Sequence, residues 1–168
     1  NLIRTGRGCQ ATIIEHFEQV AKDELLNAPV TEVFCGADSK IVHLKIIEES
    51  AAALHLGSTH VQQAEGSNYS SVEFAMSGKL VRRELHLDLA GKGASCNLTA
   101  LSMAGGDQRR DMRTRVAHLV SGCETSELYK GLYDDSSRGV FDGQILVARD
   151  AQQTNAHQTN RNLILSDD

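Results

Sequence analysis

The residues that carry reactive groups in this sequence are scattered. Four cysteines stand at Cys9, Cys35, Cys96 and Cys123, among seven histidines. A thiolate is a nucleophile and a soft metal ligand, and imidazole is a ligand or general base, so spacing decides what chemistry is open to them. His55 and His60 bracket an expected turn at Gly57-Ser58, and His118 and Cys123 bracket Gly122. Neither pair has the tight spacing of a structural zinc site, and no C-x-x-C occurs. Cys96 alternates in phase with Ala94 and Leu98 and reads as a small buried hydrophobe. Cys123 precedes Glu124, whose charge would raise a thiol pKa; Cys9 and Cys35 have no activating neighbour in sequence. His43, His55, His86 and His118 fall within strand-like runs, where a satisfied or solvent-facing ring is the expectation.

Carboxylate pairs at Asp134-Asp135 and Asp167-Asp168 sit in turn-like contexts, with Asp142 nearby. Paired carboxylates hydrolyse glycosides when a fold sets their separation, but nothing in this spacing sets one. The sequence has no P-loop, G-x-S-x-G, H-E-x-x-H or dinucleotide fingerprint. Hence no catalytic, cofactor-binding or metal-ligating residue is assigned. The leading expectation is a non-enzymatic scaffold or interaction protein. The alternative is a β-solenoid carbohydrate-active enzyme or carbohydrate-binding module using Asp134, Asp135 or Asp142. A secreted structural solenoid is a third reading, resting only on the sequons at Asn68 and Asn97.

The elements that would position these groups are strands. In "KLVRRELHLDLAG", Leu85, Leu87 and Leu89 point one way and Glu84, His86 and Asp88 the other, as a half-buried strand requires. "GASCNLTALSM", "KIVHLKII", "AALHLG", "YSSVEFAM", "RVAHLV" and "GQILVA" are further strand candidates, punctuated by Gly, Asp and Asn. "EHFEQVAKDELLNA" departs from the pattern: Phe17, Val20, Ala21 and Leu25 share a helical face from Glu15 to about Leu26, and Glu18–Asn27 stays open between short helix and loop. Asp142-Gly143 reads as a hairpin turn. The amide-rich tract Gln152–Asn162 suits solenoid corners, where amides satisfy bent backbone. No clean repeat shows, so solenoid and sandwich remain evenly matched on the residues alone.

The totals bound the function. A chain of 168 residues fits one domain with its own core. A net charge of −5 and 4% aromatic content oppose a nucleic-acid surface. The locally basic "DQRRDMRTR" (Asp107–Arg115) interleaves aspartates and reads as a solvated polar face. No apolar run approaches the roughly 18–20 residues of a membrane span. The cysteine spacing suggests free thiols in a reducing compartment.

One stretch resembles a known family. "SELYKGLYDDSSRGVFDGQILVARDAQQTNAHQTNRNLILSDD" is similar to the most characteristic region of the SufB/SufD family, on its SufD side. "GKLVRRELHLDLAG", "GKGASCNLTALSM", "RTRVAHLVSGCETSELYKG", "ATIIEHF" and "HLKIIEES" agree in order and spacing. The resemblance implies an all-β, right-handed parallel β-helix over residues 1–168, a single core domain of a longer protein, with Asp142-Gly143 becoming a bend between strands of stacked triangular turns. It implies a non-catalytic scaffold in SUF iron–sulfur cluster assembly, working with a SufB-type subunit and a SufC-type ABC ATPase. The nascent cluster would be held in the full complex, with none bound by this segment alone. No nucleic acid or membrane partner is implied, and the setting would be bacterial cytoplasm or, in a eukaryote, the plastid. The family continues beyond Asp168 with more β-helix, a Cys-Ser-His-Gly-like motif and a helical tail that docks the ATPase. The segment is therefore expected to self-associate or pair through its last rung.

Overall fold

A computed structural model describes residues 1–18 and 24–166. Among them are thirteen strands: β1 (Leu2–Arg4), β2 (Gln10–Glu18), β3 (Leu26–Asn27), β4 (Val30–Cys35), β5 (Lys40–Glu48), β6 (Leu54–Gln63), β7 (Asn68–Ala75), β8 (Leu80–Leu89), β9 (Ser95–Ala104), β10 (Arg109–His118), β11 (Glu124–Tyr133), β12 (Arg138–Val147) and β13 (Asn155–Ile164). No helix occurs among the described residues. Sheet A runs β1-β4-β6-β8-β10-β12, with β3 also on β6, and sheet B runs β2-β5-β7-β9-β11-β13. Every pairing is parallel. The chain therefore alternates between two facing sheets and coils as a parallel β-solenoid, two-sided and not triangular.

Alternation explains why these residues choose this fold. Strand β5 buries Ile41, His43, Lys45 and Ile47 while Lys40, Val42 and Glu48 face out. Strand β9 buries Cys96, Leu98, Ala100 and Ser102, confirming the inward phase read for Cys96. The apolar core is built mainly of Val, Leu, Ile, Ala and Cys, with Tyr69 and Tyr129 its aromatic members. Burial at about 25 cal/mol per Å2 of apolar surface drives the packing of one sheet on the other.

Tight turns close each rung. At the corner leading from sheet A to sheet B, one residue per turn is left-handed: Gly8, Asp38, Gly66, Gly93, Gly122 and Gln153. This is the physical origin of the Gly and Asp punctuation, since only glycine takes that conformation freely and Asp tolerates it. Corners also bond to corners: the amides of Gly8, Asp38 and Gly66 donate to the carbonyls of Ala37, Glu65 and Lys92.

Several expectations are corrected. The repeat exists, but its length varies: register partners lie 26 residues apart between Leu54 and Leu80, 29 between Leu80 and Arg109, and 31 between Glu124 and Asn155. Uneven corners hide it from a fixed-period search. Asp142-Gly143 is neither turn nor bend but the middle of β12, where Gly143 makes room for Gln158 from the opposite sheet. Most of the Gln152–Asn162 tract is β13, and only its first residues form a corner. Gly57-Ser58 lies inside β6. Glu15–Glu18 end a strand, where pairing with β5 overrides helical periodicity; Leu26–Asn27 form β3, and residues 19–23 lie outside the described residues. Asp107–Arg115 is not a solvated face: Arg110, Asp111 and Thr114 are buried in β10.

Candidate functional site

The interior holds a seam of charge between the two sheets. Glu15 on β2 is its hub. Its Oε1 accepts hydrogen bonds from Thr31 Oγ1 at 2.8 Å and Asn1 Nδ2 at 2.7 Å. Its Oε2 is met by His43 Nε2 at 2.8 Å and Lys45 Nζ at 2.9 Å. Burial would raise this carboxyl's pKa, but His43, Lys45 and Thr31 together hold it well below the usual carboxylate range. His43 Nδ1 lies 2.9 Å from the Tyr69 hydroxyl, so the ring is bonded at both nitrogens, to Glu15 and to Tyr69.

The seam crosses the interior at Thr59. Lys45 donates to Thr59 Oγ1 at 2.6 Å, and Arg83 Nη2 donates to the same oxygen at 3.1 Å. Arg83 Nε donates to Glu73 at 2.9 Å. Two cations thus face two carboxylates, with residues from β2, β5 and β7 of sheet B tied to β6 and β8 of sheet A. Burial, and then the charge of Arg83, lowers the Lys45 pKa. A cavity of about 20 Å3, large enough for one water, lies among Lys45, Thr59, Glu73 and Arg83. Among the described residues Arg83 Nη1 has no hydrogen-bond partner, and it occupies the space where a side chain at position 57 would stand, 1.7 Å from a Cβ placed on Gly57.

Two smaller polar groups flank the seam. Asn27 Nδ2 donates to Glu49 at 2.6 Å, and His55 Nδ1 lies 3.2 Å from the same carboxylate. Burial, reinforced by the Arg83 charge, lowers the His55 pKa despite Glu49. Toward the other end, Glu127 accepts from Thr114 at 3.0 Å and Gln158 at 3.2 Å, and burial raises its pKa. His118 Nε2 meets Thr125 Oγ1 at 2.8 Å, and Thr125 lies 3.4 Å from Cys96 Sγ.

This arrangement fixes charge without exposing a nucleophile. Burial pushes the thiols of Cys35 and Cys96 up to about 12 and raises Cys123 as well. The upward shift expected for Cys123 occurs, but burial causes it, with no contribution from Glu124. Cys9 is half-buried. Among the described residues no three His, Cys, Asp or Glu side chains are grouped to hold a metal ion. His55 points inward while His60 lies on the outer face stacked on His86, their rings 4.9 Å apart, so the pair singled out by spacing is not brought together.

The acidic residues of the carbohydrate reading are also separated. Asp134 and Asp135 form the turn after β11, where Asp135 accepts from the Gly106 amide. Asp142 faces out of β12 and lines a groove with Glu84 and Arg113, which excludes Asp134 and Asp135. Asn68 donates its amide to Ser95 and is half-buried. The residues missed by motif and spacing are Glu15, Lys45, Glu73 and Arg83. Their signal was a charge in the inward phase of an alternating strand.

The whole chain, residues 1–168, matches the family described as SUF system FeS cluster assembly, SufBD core domain. It is 35% identical over 162 residues to the chloroplastic protein ABCI7 of Arabidopsis thaliana, covering 94% of this chain and 34% of that protein. It is 27% identical over 158 residues to the iron–sulfur cluster assembly protein SufD of Escherichia coli, covering 94% and 37% respectively. An iron–sulfur cluster assembly SufBD family protein of Synechocystis is 27% identical over 173 residues, covering 98% and 38%. The chain thus spans under two-fifths of each of these relatives. No helix among the described residues is long and apolar enough to cross a membrane.

Proposed function

The chain belongs to the SufBD core family of the SUF iron–sulfur cluster assembly system, and from that premise we propose that it is the structural core of a SufD-type scaffold subunit. The observation that carries this reading is the match of the family's core domain over all 168 residues. The interior supports it. A coil whose sheets are tied by Glu15, Lys45, Thr59, Arg83 and Glu73 is stiff, and stiffness is what a platform for other subunits needs.

In this reading the protein performs no chemistry of its own. Its buried thiols are held protonated, so the nascent cluster is cargo of the assembled complex and finds its ligands outside this segment. The partners are a SufB-type subunit and a SufC-type ABC ATPase that supplies the energy of ATP hydrolysis. The setting is the bacterial cytoplasm or the plastid stroma, following the bacterial and chloroplastic relatives.

The test is genetic. In cells whose iron–sulfur proteins depend on the SUF system, removal of the full-length protein should lower the activity of those proteins while their polypeptides persist. The protein carrying Cys9→Ser should restore them. Normal iron–sulfur activity in the deletion strain would refute the assignment.

A further inference from the structure

One pair of metal-ligating side chains belongs neither to the interior seam nor to the scaffold reading. His60 on β6 and His86 on β8 are register partners on the outer face of sheet A. Their rings stack with centroids 4.9 Å apart and 6° between the planes. Parallel pairing produces this, because it sets equivalent residues of successive rungs side by side at about 4.8 Å. His60 is exposed and His86 half-buried, so solvent reaches both rings.

The surroundings of the stack suit a cation on one of its edges. His60 Nε2 lies 3.1 Å from Ser58 Oγ, which turns that nitrogen toward the neighbouring row of the sheet. Ser58 and Glu84 are register partners in that row, and Glu84 precedes His86 by two residues as Ser58 precedes His60. Arg113, whose charge reaches Glu84, is held by Asp111 at 3.0 Å, and the Glu84 carboxylate has no hydrogen bond among the described residues. Glu84 and His86 line one open groove of about 470 Å3. Arg115, in register with His86 on β10, turns to Asp88 at 3.8 Å.

We propose that His60 and His86 chelate one divalent cation of the class imidazole prefers, with zinc as its representative and Glu84 as a third donor. Bonds of about 2.0 Å at a tetrahedral zinc set two ligand nitrogens about 3.3 Å apart, so the stacked rings close by about 1.6 Å at their tips. Rotation of the two side chains supplies that movement while β6 and β8 stay in register. No third ligand is already in place among the described residues, so Glu84 swings in on binding and water fills the remaining position. Two nitrogen donors and one carboxylate discriminate against magnesium and calcium, which take oxygen ligands. The site is independent of the scaffold reading, and either can fail without the other.

Zinc titration of the metal-free full-length protein, with 15N-labelled histidine side chains observed by NMR, tests this. The ring nitrogens of His60 and His86, assigned by their disappearance in His60→Ala and His86→Ala, should shift together as Zn2+ is added. Mg2+ at the same concentration should move neither. In each variant the remaining ring should bind Zn2+ at least about tenfold more weakly, since even the groups that orient a metal-bound histidine are worth about 10- to 100-fold. Glu84→Gln should weaken binding by a smaller factor. His16→Ala, which removes an exposed ring bonded to Glu48, should leave the joint shift unchanged. Ring nitrogens of His60 and His86 that stay in place at excess Zn2+ would overturn the proposal. So would one ring that binds with undiminished affinity after the other is removed, because each histidine would then act alone.

Discussion

At the level of single residues, the account rests on Glu15. Its carboxylate is opposed by two buried basic side chains and accepts two further hydrogen bonds. Removing one member of a buried ion pair leaves an uncompensated charge, which costs about 3–5 kcal/mol. Glu15→Gln should therefore lower unfolding stability by about that amount, read from the urea midpoint at constant slope. A loss under about 1 kcal/mol would mean that Lys45 finds water when its partner is gone. The shifted groups also give stability a pH dependence. Burial holds His55 and His118 below the usual imidazole range, so the unfolded chain takes up those protons first as pH falls below about 6.5. The lowered carboxyls of Glu15 and Asp111 contribute fully above the ordinary carboxylate range and lose that contribution as pH falls through it. Glu127, raised by burial, acts in the opposite sense and offsets part of the loss. The midpoint should fall from pH 7.5 to pH 5, and further by pH 4; a flat profile would contradict the neutral state of the two histidines. None of this was legible from motifs. In "KIVHLKII" the alternation puts His43 and Lys45 in phase with Ile41 and Ile47, but their partner Glu15 lies in a different rung and no motif joins the three.

At the level of elements, the strands and the glycines of several corners were readable, and the rung length was not. Alternation located the inward faces of β8 and β9 because each strand has one wet and one dry side. It failed at Asp142-Gly143, where a dipeptide with strong turn preference is held extended by parallel neighbours on β10 and filled by Gln158 across the interior. Local propensity lost there to tertiary pairing. Stacking of corners imposes its own demands. Gly91 lies against the backbone of the preceding corner, where a Cβ would stand 1.9 Å from the Glu65 nitrogen. Gly91→Ala must displace that backbone, and should cost about 1–3 kcal/mol. Gly6→Ala, in open space and outside the left-handed region, should cost well under half as much. Thermal unfolding of the pair compares them; equal losses would show that the corners do not support one another.

At the level of the whole molecule, two parallel sheets form a coil whose sides are closed and whose ends are not. Among the described residues, β12 and β13 each pair along one edge only, and Ile164 and Leu165 are exposed beside them. Such edges invite further strands, from the remainder of a longer polypeptide or from a neighbouring subunit. The sequence identified this architecture through its resemblance to a family, whereas the residues alone left solenoid and sandwich level. A rung length drifting from 26 to 31 residues is the reason. The most direct test of the scaffold account is affinity purification of the tagged full-length protein from its own cells, with the bound subunits identified and counted by mass spectrometry. The account predicts stoichiometric recovery of a SufB-type subunit and a SufC-type ATPase. Recovery of the protein with neither would contradict it.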